Sequence, residues 1–400
     1  MNYKKYISLT IFTILFAGII FVLFYNKIIY PTIWPVVKNN TLMIFHDWSY
    51  VVNSSLCFEK GYDVYLNNPC ETLSNPFIYG KILLYLPFVE NNLNFYYFVV
   101  PIVFNIIFLF VCLSFFYKEN KLLYLILSII FIFSVPFLLA IERANIDILI
   151  ALIIFLLAKF KNIYLNIFFI IMISISKFYP ICLNIIFIFN KNLKSFLKYF
   201  FLTNIIILSF LFFQKDSLIK IFNNKALVDS SGIYNFSFSG ILESSNNVSV
   251  LIILLYLFIF LLFTIFFSKK ILSNNDITRL INSDIYENRL FILSSTTLIF
   301  CYFVFSNYIY REIFFLGLIP WILKNNNNSN NNLPALLLIL LSLKFVLTTL
   351  IVFINLNNIL PDLNIELVIL KHFLDFLTIL PLINILLILS FYFFKEIKVN

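Results

Sequence analysis

Charge is what this chain most lacks: only 12% of its 400 residues are Asp, Glu, Lys or Arg. Soluble domains carry about 25%, so a water-exposed surface cannot be assembled from this composition. There are two histidines, His46 and His372, and five cysteines. None has zinc-type spacing, so a His-rich metal centre is excluded from the reading. No internal repeat is visible, no separate soluble domain emerges, and no small-x-small cleavage site follows the first apolar run.

What is present is apolar length. Hydrophobic residues make up 62% of the chain and aromatics 20%, with a mean hydropathy of +0.98. Backbone groups in lipid must be satisfied internally, and a helix needs about 20 apolar residues to cross. Runs of that order recur, whereas the short alternating segments of a barrel do not. The expected fold is all-α: a single polytopic integral membrane domain over residues 1–400 with about 11–13 transmembrane or membrane-embedded helices.

The run at 7–25 follows Lys4 and Lys5 and reads as an uncleaved signal anchor with a cytoplasmic N-terminus. Residues 31–94 form a large first extracytoplasmic loop. Further spans are read at 95–116, 122–141, 146–158, 163–177, 178–189, 196–213, 249–268, 289–306, 312–323, 333–354 and 366–394, with both termini inside. Residues 214–248 form a second extracytoplasmic loop, either a wall of a substrate groove or a tether. The Asn-rich run 325–332 is a connector.

Charge distribution sets the orientation. A break at Lys177–Pro180, instead of one long helix over 163–189, makes Lys118, Lys121, Lys159, Lys161, Lys191, Lys194, Lys198, Lys269, Lys270, Lys395 and Lys398 cytoplasmic. Cytoplasmic segments then hold 16 basic and 5 acidic residues, and external ones 10 and 14, as the positive-inside rule expects. Lys344 and Lys371 fall within spans. The frequent Phe, Ile, Asn and Lys fit an AT-rich genome, so the net charge of +9 carries no weight as a nucleic-acid signal and no nucleic-acid partner is implied.

With this threading, Phe45-His46-Asp47-Trp48, Glu142-Arg143-Ala144-Asn145, Ser176-Lys177-Phe178-Tyr179-Pro180 and Tyr310-Arg311-Glu312 fall on one side, the outer face. Asp47, among aromatics just after the first span, suits a general base. Its bland alternative is a helix-capping aspartate. Lys177, a cation at the membrane edge, calls for an anionic partner, and a lipid phosphate is the natural one. Arg143 and Arg311 present planar forks matched to phosphate oxygens. Their bland alternatives are ion pairs with the adjacent Glu142 and Glu312, snorkelling to the interface, or an i,i+4 pair between Arg143 and Asp147. His46, Glu142, Tyr179 and Tyr310 are expected to support these four. Cys57 and Cys70 share the first loop, as a disulfide in an oxidising compartment or as free thiols.

These motifs resemble a known family. Asp47 after the first span, Gly61-Tyr62-Asp63-Val64-Tyr65 with Asn68-Pro69, and Pro76-Phe77-Ile78-Tyr79 leading to Leu86-Pro87 look like the first loop of glycosyltransferase family 87. Glu142-Arg143-Ala144-Asn145-Ile146-Asp147, Lys177-Phe178-Tyr179-Pro180 and Asn307-Tyr308-Ile309-Tyr310-Arg311 continue the likeness in order over roughly residues 40 to 320. The chain departs from it at Gly80-Lys81, where many relatives have proline, and at Ala144, where glycine is common. The resemblance implies a GT-C-like architecture in the inner (plasma) membrane and a polyprenyl-phosphate-linked sugar donor, the sugar being a hexose (mannosyltransferase-like) or a pentose.

The expected function is transfer of that sugar, with inversion, to a lipid-linked or cell-envelope glycan acceptor. Asp47 would act as base, and Lys177, Arg143 and Arg311 would hold the donor phosphate. No cofactor is required; a divalent metal is not excluded, since Asp47, Asp63 and Glu142 offer oxygen ligands. Membrane lipids are the remaining partners. The rivals are a glycolipid or anionic-lipid transporter or flippase, an O-antigen ligase or polymerase, and a noncatalytic assembly subunit. The inverted repeats and midplane site common in transporters are not visible.

Overall fold

A computed structural model describes residues 3–25, 44–71, 74–117, 122–190, 192–225, 234–238, 283–304, 307–326, 333–356 and 364–399, with isolated positions between 258 and 280. The described residues are helical apart from turns and one isolated β-bridge, Asn235 with Tyr308. The protein is an all-α helical membrane protein. Four helices are long and apolar enough to cross a bilayer: Phe95–Phe116, Leu193–Phe213, Leu333–Asn355 and Glu366–Phe393. Counting the bent pair Leu122–Ile132 and Val135–Arg143, which meet at 57°, as one broken span gives up to five.

The elements used below are α1 (Tyr3–Tyr25), α2 (His46–Glu59), α3 (Val100–Phe116), α4 (Leu122–Ile132), α5 (Val135–Arg143), α6 (Ile146–Lys159), α7 (Ile163–Ser176), α8 (Leu193–Phe213), α9 (Lys215–Lys225), α10 (Tyr286–Phe303), α11 (Ile319–Asn326), α12 (Leu333–Leu356) and α13 (Asn364–Val399). Two long 3-10 helices, Tyr179–Asn190 and Ile309–Leu318, complete the interior. Pro136 in the first turn of α5 explains the bend after α4, because proline lacks the amide that would continue the preceding helix.

Several expected spans are too short to cross. Helices α6 and α7 have 14 residues each, about 21 Å at 1.5 Å per residue, against a core of about 30 Å. They form an antiparallel pair: Asp147 at the start of α6 meets Lys177 at the end of α7. At the other end Arg289 donates to the carbonyls of Leu157 (2.9 Å) and Phe160 (2.7 Å). The 179–190 helix then reverses, since Tyr179 lies at the Asp147 end and Phe189 lies under Arg289, 5.6 Å from its guanidinium. The chain therefore breaks at Lys177–Pro180, with Lys177 itself extended (φ −140°, ψ 127°).

A second reversal repeats this plan. Helix α10 begins beside Lys324 of α11 through Glu287 (3.3 Å) and ends near Asn307. The 309–318 helix and α11 return along it, with Trp321 against Phe291 at 4.5 Å. Gly317 permits the close approach: a Cβ there would stand 2.0 Å from Ser294 Oγ. Runs of 3-10 helix beyond three or four residues are uncommon, and both long ones carry residues of the polar cluster described next in their first turn, Tyr179 in one and Tyr310 and Arg311 in the other. The expected 249–268 span lies almost wholly outside the described residues.

The first loop folds over this cluster end. Cys57 and Cys70 are joined by a disulfide, the Trp48 indole donates to the Tyr96 carbonyl (2.8 Å), and the Gly80 amide donates to the Ser176 carbonyl (2.9 Å). Lys220 of α9 pairs with Asp63 (2.5 Å), and the Phe236 amide donates to the Asn307 carbonyl (2.6 Å). Both loops accordingly meet at the same end of the bundle.

Candidate functional site

The site is built on a broken helix. Helix α5 ends at Arg143, and Ala144 adopts the left-handed conformation (φ 46°, ψ 51°). A residue with a Cβ adopts this at a cost of roughly 1 kcal/mol. Asn145 then caps α6, its Oδ1 accepting from the Asp147 amide at 2.9 Å. The turn aims Arg143 and Asn145 at the first loop and Asp147 at α7.

Asp47 lies in the first turn of α2, whose entry is fixed by Phe45 in the left-handed region (φ 66°) and by the Phe45 amide on the Glu142 carbonyl (2.8 Å). No side chain caps α2. The Asp47 carboxylate instead accepts from Arg143 Nε at 2.8 Å through Oδ1, and from Asn145 Nδ2 through Oδ2. This answers the capping alternative: the aspartate is held by α5 and Asn145.

Behind it, Asp147 is fully buried. Its Oδ1 accepts from Lys177 Nζ and from the Tyr179 hydroxyl, both at 2.7 Å, and its Oδ2 accepts from Arg311 Nε at 3.3 Å. Lys177 also reaches Asn145 Oδ1 at 3.3 Å. Asn145 thus joins the two carboxylate groups into one network. Aromatic faces line the cations: Tyr79 lies 5.1 Å from Lys177 Nζ, Tyr179 4.8 Å and Tyr308 5.8 Å from the guanidinium carbons of Arg311 and Arg143. Tyr310 stacks on Tyr308 at 5.5 Å.

All four sequence-predicted residues, Asp47, Arg143, Lys177 and Arg311, belong to this network, and Tyr179 is bonded into it. Two expected pairings are corrected, those of Arg143 with Asp147 and of Arg311 with Glu312. Arg143 does not pair with Asp147, because Ala144 breaks the helix between them; it pairs with Asp47 from the first loop. The described partner of Lys177 is Asp147. Glu312 turns away from Arg311 into a second group on α12 and α13. Glu142 contributes its carbonyl to Phe45. His46 stands beside Asp47; burial holds its imidazole below the ordinary range, opposed by Asp47 and reinforced by Arg143. Asp63 is paired with Lys220 on the loop surface, apart from Asp47 and Glu142.

The electrostatics are dense. Arg143, Lys177 and Arg311 face Asp47 and Asp147 in a buried setting, and the buried carboxylate of Glu142 adds its field to Arg143. Both arginines engage carboxylates through Nε, and Arg311 also bonds the Cys301 side chain. Arg143 and Arg311 keep 20% and 16% side-chain exposure, against 6% for Lys177. The arrangement can receive an anion at the exposed parts of the two guanidinium groups, next to a carboxylate able to take a proton.

The second polar group is wholly enclosed. Lys344 of α12 pairs with Glu312 and with Asp375 (3.0 Å), and Lys371 of α13 pairs with Asp375 (2.7 Å) and Glu312 (3.8 Å). All four are 0% exposed, and His372 adjoins them 3.9 Å from Asp375. Lys371 also donates to the Asn235 carbonyl, and Phe236 covers both lysines.

Sequence reasoning missed Asn145, Asp147 and Tyr79 as members of the site. Asn-x-Asp before an apolar run is a capping signal, and such a signal does not reveal that the same asparagine spans two carboxylates. No family model, curated protein or solved structure matches the chain.

Proposed function

We propose that the protein is a GT-C-like membrane glycosyltransferase of the family 87 type, transferring a sugar from a polyprenyl-phosphate donor to a lipid-linked or envelope glycan acceptor. The observation that carries this reading is a linked network in which two partly exposed arginines, Arg143 on Asp47 and Arg311 on Asp147, stand at the end of the bundle that holds the Asp47 carboxylate. A lipid-linked sugar phosphodiester carries one negative charge and presents oxygens to both forks. Asp47 has lone pairs left on each carboxylate oxygen.

In this mechanism Asp47 accepts the proton of an acceptor hydroxyl as that oxygen attacks the anomeric carbon. The bond from that carbon to the phosphate oxygen breaks, its electron pair stays on the lipid phosphate, and the anomeric centre inverts. Arg143 and Arg311 stabilise the charge arriving on the phosphate. Lys177, held on Asp147, adds positive field from behind. Tyr308 and Tyr310 offer an aromatic wall beside the forks. The Cys57–Cys70 disulfide at the same end supports an oxidising, extracytoplasmic side for the site, in agreement with the bias of basic residues toward the opposite end and with the inner membrane as location.

A second reading, a transporter of anionic lipids, draws on the enclosed Glu312, Lys344, Lys371 and Asp375 group, because ionisable residues between membrane helices commonly mark transport paths. Reconstitution with polyprenyl-phosphate sugars separates the two. Transfer by the wild type that falls at least a hundredfold in a folded Asp47→Asn variant supports the enzyme. Translocation of the lipid without transfer would replace it by the transporter, and unchanged transfer in Asp47→Asn would remove the base assignment.

A further inference from the structure

At the end of α6 opposite the polar site, a groove of about 850 Å³ opens between α3, α6, α10 and α11. Its walls are apolar, with Ile107 and Val111 from α3, Leu152 and Phe155 from α6, and Leu323 from α11. Its size falls within the range of roughly 300–1,000 Å³ usual for small-molecule sites. Asp147 and Lys159 stand twelve residues apart on α6, which separates the groove from the polar site by about 18 Å.

The rim of this groove is cationic. Lys159, Lys161 and Glu287 line it, and Arg289, Lys324 and Asp284 adjoin through ion pairs. Asp284 is shared by Lys161 (3.3 Å) and Arg289 (3.0 Å), and Glu287 is taken by Lys324 (3.3 Å). Both carboxylates are therefore neutralised within the rim. Lys159, in the last turn of α6, has no charged partner among the described residues. An apolar slot with a spare ammonium at its mouth matches a molecule with a hydrocarbon chain and an anionic head. Basic pockets between membrane helices recognise headgroups in this way.

We propose that this groove binds an anionic glycerophospholipid of the surrounding leaflet, with an acyl chain between α3 and α6 and the headgroup phosphate on Lys159. The site is independent of the sugar-transfer reading and needs no activity measurement. The charge match selects the head, and the apolar walls select a single chain.

The test is lipid binding to purified full-length protein in detergent, followed by native mass spectrometry and thermal unfolding. Phosphatidylglycerol should be retained in preference to phosphatidylcholine. Lys159→Gln should weaken phosphatidylglycerol about fivefold, the effect of one lysine near an anionic headgroup, and leave phosphatidylcholine unchanged. Val111→Trp, which fills the slot, should abolish retention of both. Equal retention of the two lipids, or phosphatidylglycerol binding unaltered by Lys159→Gln, would overturn the proposal. So would displacement of phosphatidylglycerol from the wild type by an equimolar polyprenyl phosphate whose own retention is lost in Val111→Trp, because the groove would then belong to a polyprenyl chain.

Discussion

Gly80 lies directly against the carbonyl oxygen of Ile175: a Cβ on Gly80 would stand 1.7 Å from it. Its amide meanwhile donates to Ser176, one residue before Lys177. Backbone cannot yield as a flexible side chain can, so Gly80→Ala forces the first loop off the end of α7. It moves Tyr79 away from Lys177 as well. Thermal unfolding should show a loss of about 1–3 kcal/mol together with impaired transfer. Gly18→Ala, where nothing lies within 4 Å, should leave both unchanged.

Removing the carboxylate of Asp147 leaves Lys177 and Arg311 unpaired in a buried setting. Asp147→Asn is expected to destabilise the fold by about 3–5 kcal/mol, the usual result of breaking a buried ion pair from one side. Asp47→Asn, at a more open position, should cost less stability and more transfer. Melting temperatures and initial rates on the two variants separate the anchoring carboxylate from the reacting one.

The enclosed group on α12 and α13 makes a parallel test. Lys344→Met leaves Glu312 and Asp375 sharing Lys371 alone, so one buried negative charge is unmatched, and a similar loss of about 3–5 kcal/mol is expected. Adding Glu312→Gln should recover part of it. A double-mutant cycle read by unfolding in detergent measures the coupling, and strict additivity would show that the pair does not interact.

His46 gives a pH dependence. Its folded-state pKa lies below the free value of 6.5 because burial disfavours the imidazolium. The unfolded chain therefore binds the proton more readily. The stabilising contribution is complete above pH 6.5 and is lost as pH falls through the folded value. Unfolding followed across pH 5 to 8 should show stability declining on the acid side, and His46→Gln should flatten that portion.

The Cys57–Cys70 bond closes a short loop that carries Asp63. Reduction, or Cys57→Ser with Cys70→Ser, should destabilise the first loop by about 2–4 kcal/mol. Limited proteolysis near residues 60–75 reports it.

Much of this was legible in the sequence. Hydropathy disclosed the membrane class, and the distribution of lysines located the reversal at Lys177–Pro180 that brings Arg311 to the same end as Asp47. The number of full crossings was less legible. Hydropathy reads an apolar 14-residue hairpin arm and a spanning helix alike, and 3-10 and α-helical runs share the same residues. Asp147 looked like the i,i+4 neighbour of Arg143 because the left-handed turn at Ala144 leaves no mark in composition. Glu312, Lys344 and Lys371 are too far apart in sequence for spacing to join them; only the packing of α12 and α13 against the 309–318 helix does so.

That enclosed group also bears on how the chain is made. Lys344 on α12, and Lys371 with Asp375 on α13, each cost about 2.5–3.5 kcal/mol to place alone at the centre of a bilayer. Within α13 one pair is already matched, whereas Lys344 has no acid of its own helix beside it. Helices α12 and α13 are therefore expected to leave the translocon together as a hairpin, after the segment bearing Glu312 has already entered. Glycosylation mapping of chains truncated after α12 and after α13 would display this order as poor insertion of the first and efficient insertion of the second.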